Sequence, residues 1–130
     1  MNKNIKKVNA AIIIIGNEIL SGRTQDVNVE HLSKWLNNLG VKVEEVRVIA
    51  DLESSIINTI NEVRKKFNYV FTTGGIGPTH DDITSKSIAK AFNLSCGYHK
   101  EAYEILEKYY KPGEFNEGRK KWLCYLPRLC

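Results

Sequence analysis

Val8-Asn-Ala-Ala-Ile-Ile-Ile-Ile15 is a short, nearly continuous apolar run that ends abruptly at Gly16. Its β-branched isoleucines favour extended backbone, and the lack of alternation requires burial on both faces. A strand covered on both faces belongs to a parallel sheet with helices above and below it. The run is far short of the roughly 20 residues that a membrane span needs. Lys3, Lys6 and Lys7 precede it in the manner of a secretory leader. The apolar core, however, is short, lacks a small-residue cleavage site and leads straight into Gly16-Asn17-Glu18.

The remaining chain repeats the strand–helix rhythm. Val29, Leu32, Trp35, Leu36 and Leu39 recur at helical spacing between Asp26 and Gly40. Val41, Val43, Val46 and Val48 mark a second strand, and Glu44-Glu45 places it near an edge with one wet face. Asp51 is a natural N-cap for a helix whose buried stripe is Ile56, Ile57, Ile60, Val63 and Phe67. Tyr69 to Thr72 forms a third strand, followed by helices at Thr84 to Phe92 and His99 to Tyr110. This order predicts a single doubly wound α/β domain over residues 1–130, with residues 1–7 frayed.

Ligands of such sheets bind beyond the carboxyl ends of the strands. There the chain places Gly16, Asn17, Glu18, Ser21, Asp26 and Asn28 after strand one, Asp51 after strand two, and Thr73-Gly74-Gly75-Ile76-Gly77-Pro78-Thr79 after strand three. Glycines let backbone N–H groups close on an anion, and the following helix start adds positive potential. The loop suits a phosphate or diphosphate, although a tight turn accounts for the glycines equally well. No Gly-Lys-Ser/Thr follows, and His80 stands where a dinucleotide fingerprint has its third glycine. Asp81 and Asp82 would repel a phosphate unless a cation lay between, so they are candidate ligands for Mg²⁺ or another divalent cation. One carboxylate is expected on the metal or ligand, and the other as a cap of the helix starting at Thr84. Glu18 and Asp26 read either as site walls or as solvated loop residues.

Charge narrows the partners. Lys and Arg exceed Asp and Glu by 12 to 10 up to His99 and by 7 to 5 after it, within a net +4. The excess is even, without the basic, aromatic-interleaved surface of a nucleic-acid binder. Cys96, Cys124 and Cys130 show no CxxC spacing and are odd in number, which predicts free thiols in a cytoplasmic protein.

Gly16-Asn17-Glu18-Ile19-Leu20-Ser21-Gly22 with Thr24, Asp26 and Asn28, followed by Thr72-Thr73-Gly74-Gly75-Ile76-Gly77-Pro78-Thr79-His80-Asp81-Asp82-Ile83-Thr84, resembles the molybdopterin-binding domain family. This domain occurs in molybdenum-cofactor biosynthesis proteins, competence/damage-inducible proteins and FAD synthases, and the wording here is closest to the last two. The resemblance spans Val8 to Pro127. It implies a three-layer α/β/α sandwich with a mostly parallel sheet, commonly trimeric. It also implies that Gly74, Gly75 and Gly77 hold the phosphates of a pterin or nucleotide diphosphate, and that Asp82 and Asp51 match acidic positions of the adenylyltransferase branch.

The function expected from residues and resemblance together is a diphosphate-binding domain with weak pyrophosphatase activity on ADP-ribose or FAD-type substrates, with Asp82 and Asp51 catalytic. Molybdopterin is a second candidate ligand. The alternatives are molybdopterin adenylyltransfer and a non-catalytic binding domain. Family members continue past Leu126-Pro127, so the C-terminal part is expected to be truncated. A homo-oligomer is also expected, with Trp122, Leu123, Tyr125 and Leu126 buried.

Overall fold

The computed structural model describes residues 7–125. The apolar run forms strand β1 (Val8–Ile15), which leads through a one-turn helix α1 (Asn17–Leu20) into helix α2 (Asn28–Asn38). Strand β2 (Val41–Ile49), helix α3 (Glu53–Val63), strand β3 (Tyr69–Thr73) and helix α4 (Thr84–Ala91) follow. The three strands form a parallel sheet in the order β2-β1-β3, with Ile12 opposite Val46 on one side and Phe71 on the other. The expected α/β class with a parallel sheet is therefore present, β1 is its central strand, and β2 lies at an edge as expected. From β1 the chain steps outward to β2 and then returns past β1 to β3. With right-handed crossovers, these opposite steps put α2 and α3 on opposite faces.

Period-two alternation turns Ala11, Ile13 and Ile15 toward α3, where they pack with Ile56, Ile60 and Val63 and with Ala91 of α4. Ala10, Ile12 and Ile14 point the other way and are buried as well. Each fully buried isoleucine contributes about 2 kcal/mol by area removed from water. Gly40 closes α2 at φ +79°, a conformation that suits glycine and starts β2 at once.

The rest of the chain forms a smaller lobe. Strand β4 (Gly97–Tyr98) pairs antiparallel with β5 (Cys124–Tyr125), and between them lie α5 (Lys100–Tyr109), α6 (Glu117–Lys120) and a 3₁₀ turn at Lys121–Leu123. Neither the ribbon nor α6 is signalled by hydrophobic periodicity, because two-residue strands are too short to show one. Leu123 is buried as expected, while the side chains of Trp122 and Tyr125, and all of Leu126, lie outside the described residues. Cys96 is disulfide-bonded, which corrects the expectation of three free thiols. The chain reversal that brings β5 back along β4 is a tertiary event that cysteine spacing cannot reveal. Among the described residues, no helix is long and apolar enough to cross a membrane.

On the α3 side of β2, Arg47 donates two hydrogen bonds of 2.8 Å to Glu62, which also accepts from Lys66. These cations, Arg47 first, hold the Glu62 carboxyl down to about 2 from an ordinary 4.5. A depressed carboxyl stabilises the fold above its unfolded pKa, and that contribution disappears as pH falls through the folded value. Glu62→Gln should therefore lower the melting temperature by a constant amount above about pH 5, with the gap closing toward pH 2. Thermal denaturation of both proteins across that range checks it; a gap that persists at pH 2 would show that the pair contributes no proton-linked stability.

Candidate functional site

The connection after β1 turns toward α2, whereas those after β2 and β3 turn toward the α3 side. The loops therefore part at the carboxyl end of β1, leaving the crevice in which open α/β sheets bind ligands. The ends of β1 and β2 are tied together there. Gly16 donates its N–H to the Ile49 carbonyl at 3.0 Å. Asn17 donates its N–H to Asp51 Oδ2 at 3.2 Å and accepts the Asp51 N–H on Oδ1 at 3.3 Å. Asp51 thus joins β1 to β2 and is not the helix cap that local sequence suggests; the α3 N-cap is Leu52, with no side-chain capping bond.

The glycine loop is seated on this floor. Gly75 lies at φ +62°, and a Cβ there would stand 2.3 Å from Thr84 Oγ1 and 3.2 Å from Asp51 Oδ1. Thr84 is buried, donates its hydroxyl to the Gly74 carbonyl at 2.9 Å and its N–H to the Gly75 carbonyl at 3.1 Å. Glycine is required at position 75 because the Asp51 and Thr84 side chains occupy the space of a methyl group.

Asp82 closes the far end of the loop. Its Oδ2 accepts from the Thr79 N–H at 2.8 Å and from the Thr79 hydroxyl at 2.6 Å. The Thr79 hydroxyl, then the backbone N–H groups of Gly77 and Thr79 and the Lys121 ammonium, hold the Asp82 carboxyl below its ordinary range. It is therefore a carboxylate at neutral pH. A Cβ on Gly77 would lie 2.6 Å from that carboxylate, so Gly77 gives it room. The α4 N-cap is Ile83, without a side-chain capping bond, so neither Asp81 nor Asp82 serves as the cap.

The other expected site residues separate into groups. Gly75, Gly77 and Asp82 line one cleft. Asn28, Thr73 and Gly74 line a second, shallower groove beside Trp35 of α2. The Glu18 carboxylate folds back over Gly16, and Pro78 meets Gly118 of the small lobe. Ser21 donates to the Glu18 carbonyl and accepts from Arg23, while Asp26 accepts from the Val29 N–H at 2.9 Å and so begins α2. Asp81 is highly exposed and lies 2.9 Å from His80 Nε2. Sequence reasoning missed Lys86, Lys121 and Tyr98, which complete the cleft around the glycine loop. Lys86 follows two residues after Thr84, a position that puts it on the first turn of α4 beside the loop. Lys121 and Tyr98 reach the cleft only through the packing of the small lobe.

A model of the family described as "Probable molybdopterin binding domain" matches residues 11–127. A protein of Sulfurisphaera tokodaii is 41% identical over 115 residues, covering 86% of this chain and 44% of that protein. One from Archaeoglobus fulgidus is 41% identical over 103 residues, covering 79% and 45%. The chain thus spans less than half the length of these relatives. Among solved structures, the CinA protein of Thermoplasma acidophilum, titled as of unknown function, superimposes with a TM-score of 0.82 at 29% identity, covering 92% of this chain and 70% of that one. The tungsten cofactor synthesizing protein MoaB of Pyrococcus furiosus shares the fold, with a TM-score of 0.61 at 23% identity and coverage of 91% and 69%. With a family model matched over nearly its whole length, the chain belongs to the molybdopterin-binding domain family.

Proposed function

We propose that the cleft binds the diphosphate of a nucleotide or pterin together with a divalent cation, and that the domain slowly hydrolyses the phosphoanhydride. The observation that carries this reading is the packing of Gly75 against Asp51 and Thr84, with Asp82 ionised at the end of the same loop. The glycine loop, the first turn of α4 and the Asp82 carboxylate line one cleft, a combination suited to a phosphate and a hard cation.

The donor set fits Mg²⁺. Among the described residues, no three His, Cys, Asp or Glu side chains gather to hold a metal by themselves. Mg²⁺ commonly takes only one or two carboxylates and completes its shell with water and phosphate oxygens. Asp82, which lines the cleft, would hold it, with Asp51, packed beneath Gly75, as the second candidate ligand. When bound, the cation neutralises phosphate charge as it builds at the bridging oxygen. The glycine-loop N–H groups orient the phosphate, and Thr79 and Asn17 fix the two carboxylates. Water adds to one phosphorus, the bridging P–O bond breaks, and two monophosphates leave with release of a proton.

Molybdopterin adenylyltransfer is the second reading, favoured by the matched family description. It differs in consuming ATP and transferring the nucleotide to a pterin phosphate in place of water. Symmetric self-association, as a trimer, is part of the proposal, since Trp35 and the β2 residues Val46 and Val48 are exposed.

ADP-ribose, FAD or ADP should raise the melting temperature in the presence of Mg²⁺, and EDTA should reduce the shift. Differential scanning fluorimetry checks this. No shift with any nucleotide or pterin diphosphate would refute the ligand class.

A further inference from the structure

We propose that Lys86 and Lys121 form a cationic wall that holds the phosphate lying beyond the glycine loop, so that the site selects a diphosphate over a monophosphate. The inference rests on the diphosphate reading above and assigns its second phosphate. Both lysines line the same cleft as Gly75, Gly77 and Asp82, and Tyr98 forms part of the same wall.

Lys86 makes no hydrogen bond or ion pair among the described residues. It stands in the first turn of α4 with its ammonium uncommitted. Lys121 arrives from the 3₁₀ turn and donates to the Thr79 carbonyl at 2.6 Å, across 42 positions of sequence. Beside it, a Cβ on Gly118 would lie 2.9 Å from the Pro78 carbonyl oxygen, so this part of the small lobe rests directly on the loop. An ammonium has three donors, and Lys121 spends one on Thr79. Two remain for a ligand held between lobe and loop.

Charge points to a polyanion. Glu117 also borders the cleft, but its carboxylate is engaged by Lys120 at 2.8 Å. Two lysines therefore share the cleft with the single carboxylate of Asp82. One phosphate on the glycine-loop amides leaves them unmatched, whereas a second phosphate gives each ammonium a charged acceptor, a contact roughly twice as strong as a neutral hydrogen bond. Tyr98, about half exposed, offers its ring beside them as a flat surface for the remainder of the ligand.

Isothermal titration of the full chain with ADP-ribose and with AMP, in Mg²⁺, tests the assignment. The unmodified chain should bind ADP-ribose at least about tenfold more tightly than AMP, as one or two extra charge-assisted contacts require. Lys86→Gln and Lys121→Gln should each weaken ADP-ribose by about tenfold and leave AMP nearly unchanged, and Lys86→Arg should restore binding. Lys86→Gln has no partner to lose among the described residues, so its result stands even if Lys121→Gln loosens the lobe. Unchanged ADP-ribose affinity in both variants would overturn the lysine wall while leaving the diphosphate reading intact. Equal losses for AMP and ADP-ribose would overturn the selection of a second phosphate. If the unmodified chain binds neither, the diphosphate reading itself falls and the wall with it.

Discussion

Gly74→Ala is expected to cost about 3 kcal/mol or more of folding free energy, against about 1 kcal/mol for Gly113→Ala. The two glycines have nearly the same φ, +91° and +86°, so both variants carry the strain of an L side chain at positive φ. Their surroundings differ. A Cβ at Gly113 meets nothing within 4 Å, whereas one at Gly74 would lie 1.9 Å from the Ile15 carbonyl oxygen. That oxygen belongs to the buried end of β1 and cannot swing aside like the tip of a flexible side chain. Making room means pulling the glycine loop off the central strand, the movement that would also dismantle the floor formed by Asp51 and Thr84. Urea denaturation of the two variants measures the difference. Equal losses would show that only backbone strain matters and that the loop is not pinned to β1.

Asp82→Asn should reduce pyrophosphatase turnover at least tenfold, about 1.4 kcal/mol or more of transition-state stabilisation. Asparagine keeps an oxygen that can accept from the Thr79 N–H and hydroxyl, so the loop keeps its shape. What disappears is the negative charge available to a cation. Asp81→Asn is the informative partner experiment. Asp81 is exposed and paired with His80, and its removal should leave the rate within about twofold, as surface ion pairs contribute little. Initial rates of ADP-ribose hydrolysis with Mg²⁺ separate the cases. A comparable loss in both variants would restore the two-aspartate metal site expected from the sequence. A rate untouched by Asp82→Asn would reduce that residue to a loop-shaping role.

The contrast between these aspartates shows where reading the chain stops. Asp81 and Asp82 are adjacent and chemically identical, and residue type does not distinguish them. Thr79 does so, by offering both its N–H and its hydroxyl to one carboxylate, which depends on how tightly Gly77-Pro78-Thr79 turns. Asp51 makes the same point over a longer distance. In sequence it has the position of a helix cap, yet its carboxylate faces Asn17, 34 residues earlier, because β1 and β2 are neighbours in register.

The parts whose physics is local are legible along the chain. An unbroken apolar run of β1 length must be covered on both faces, the stripe of Ile56, Ile60 and Val63 must form one side of a helix, and a Gly-Gly-x-Gly-Pro run after a strand must turn sharply. These follow from side-chain periodicity and backbone sterics within a few residues. Which side chains meet around the glycine loop is settled by packing between distant segments. Lys121 reaches Thr79, Cys96 joins a disulfide, and Asp51 and Thr84 fill the space under Gly75. The physical reason is that these partners lie on different strand ends and lobes. Their distances are set by the strand order β2-β1-β3 and by the docking of the small lobe on the loop, and neither is written in the spacing of residues along the chain.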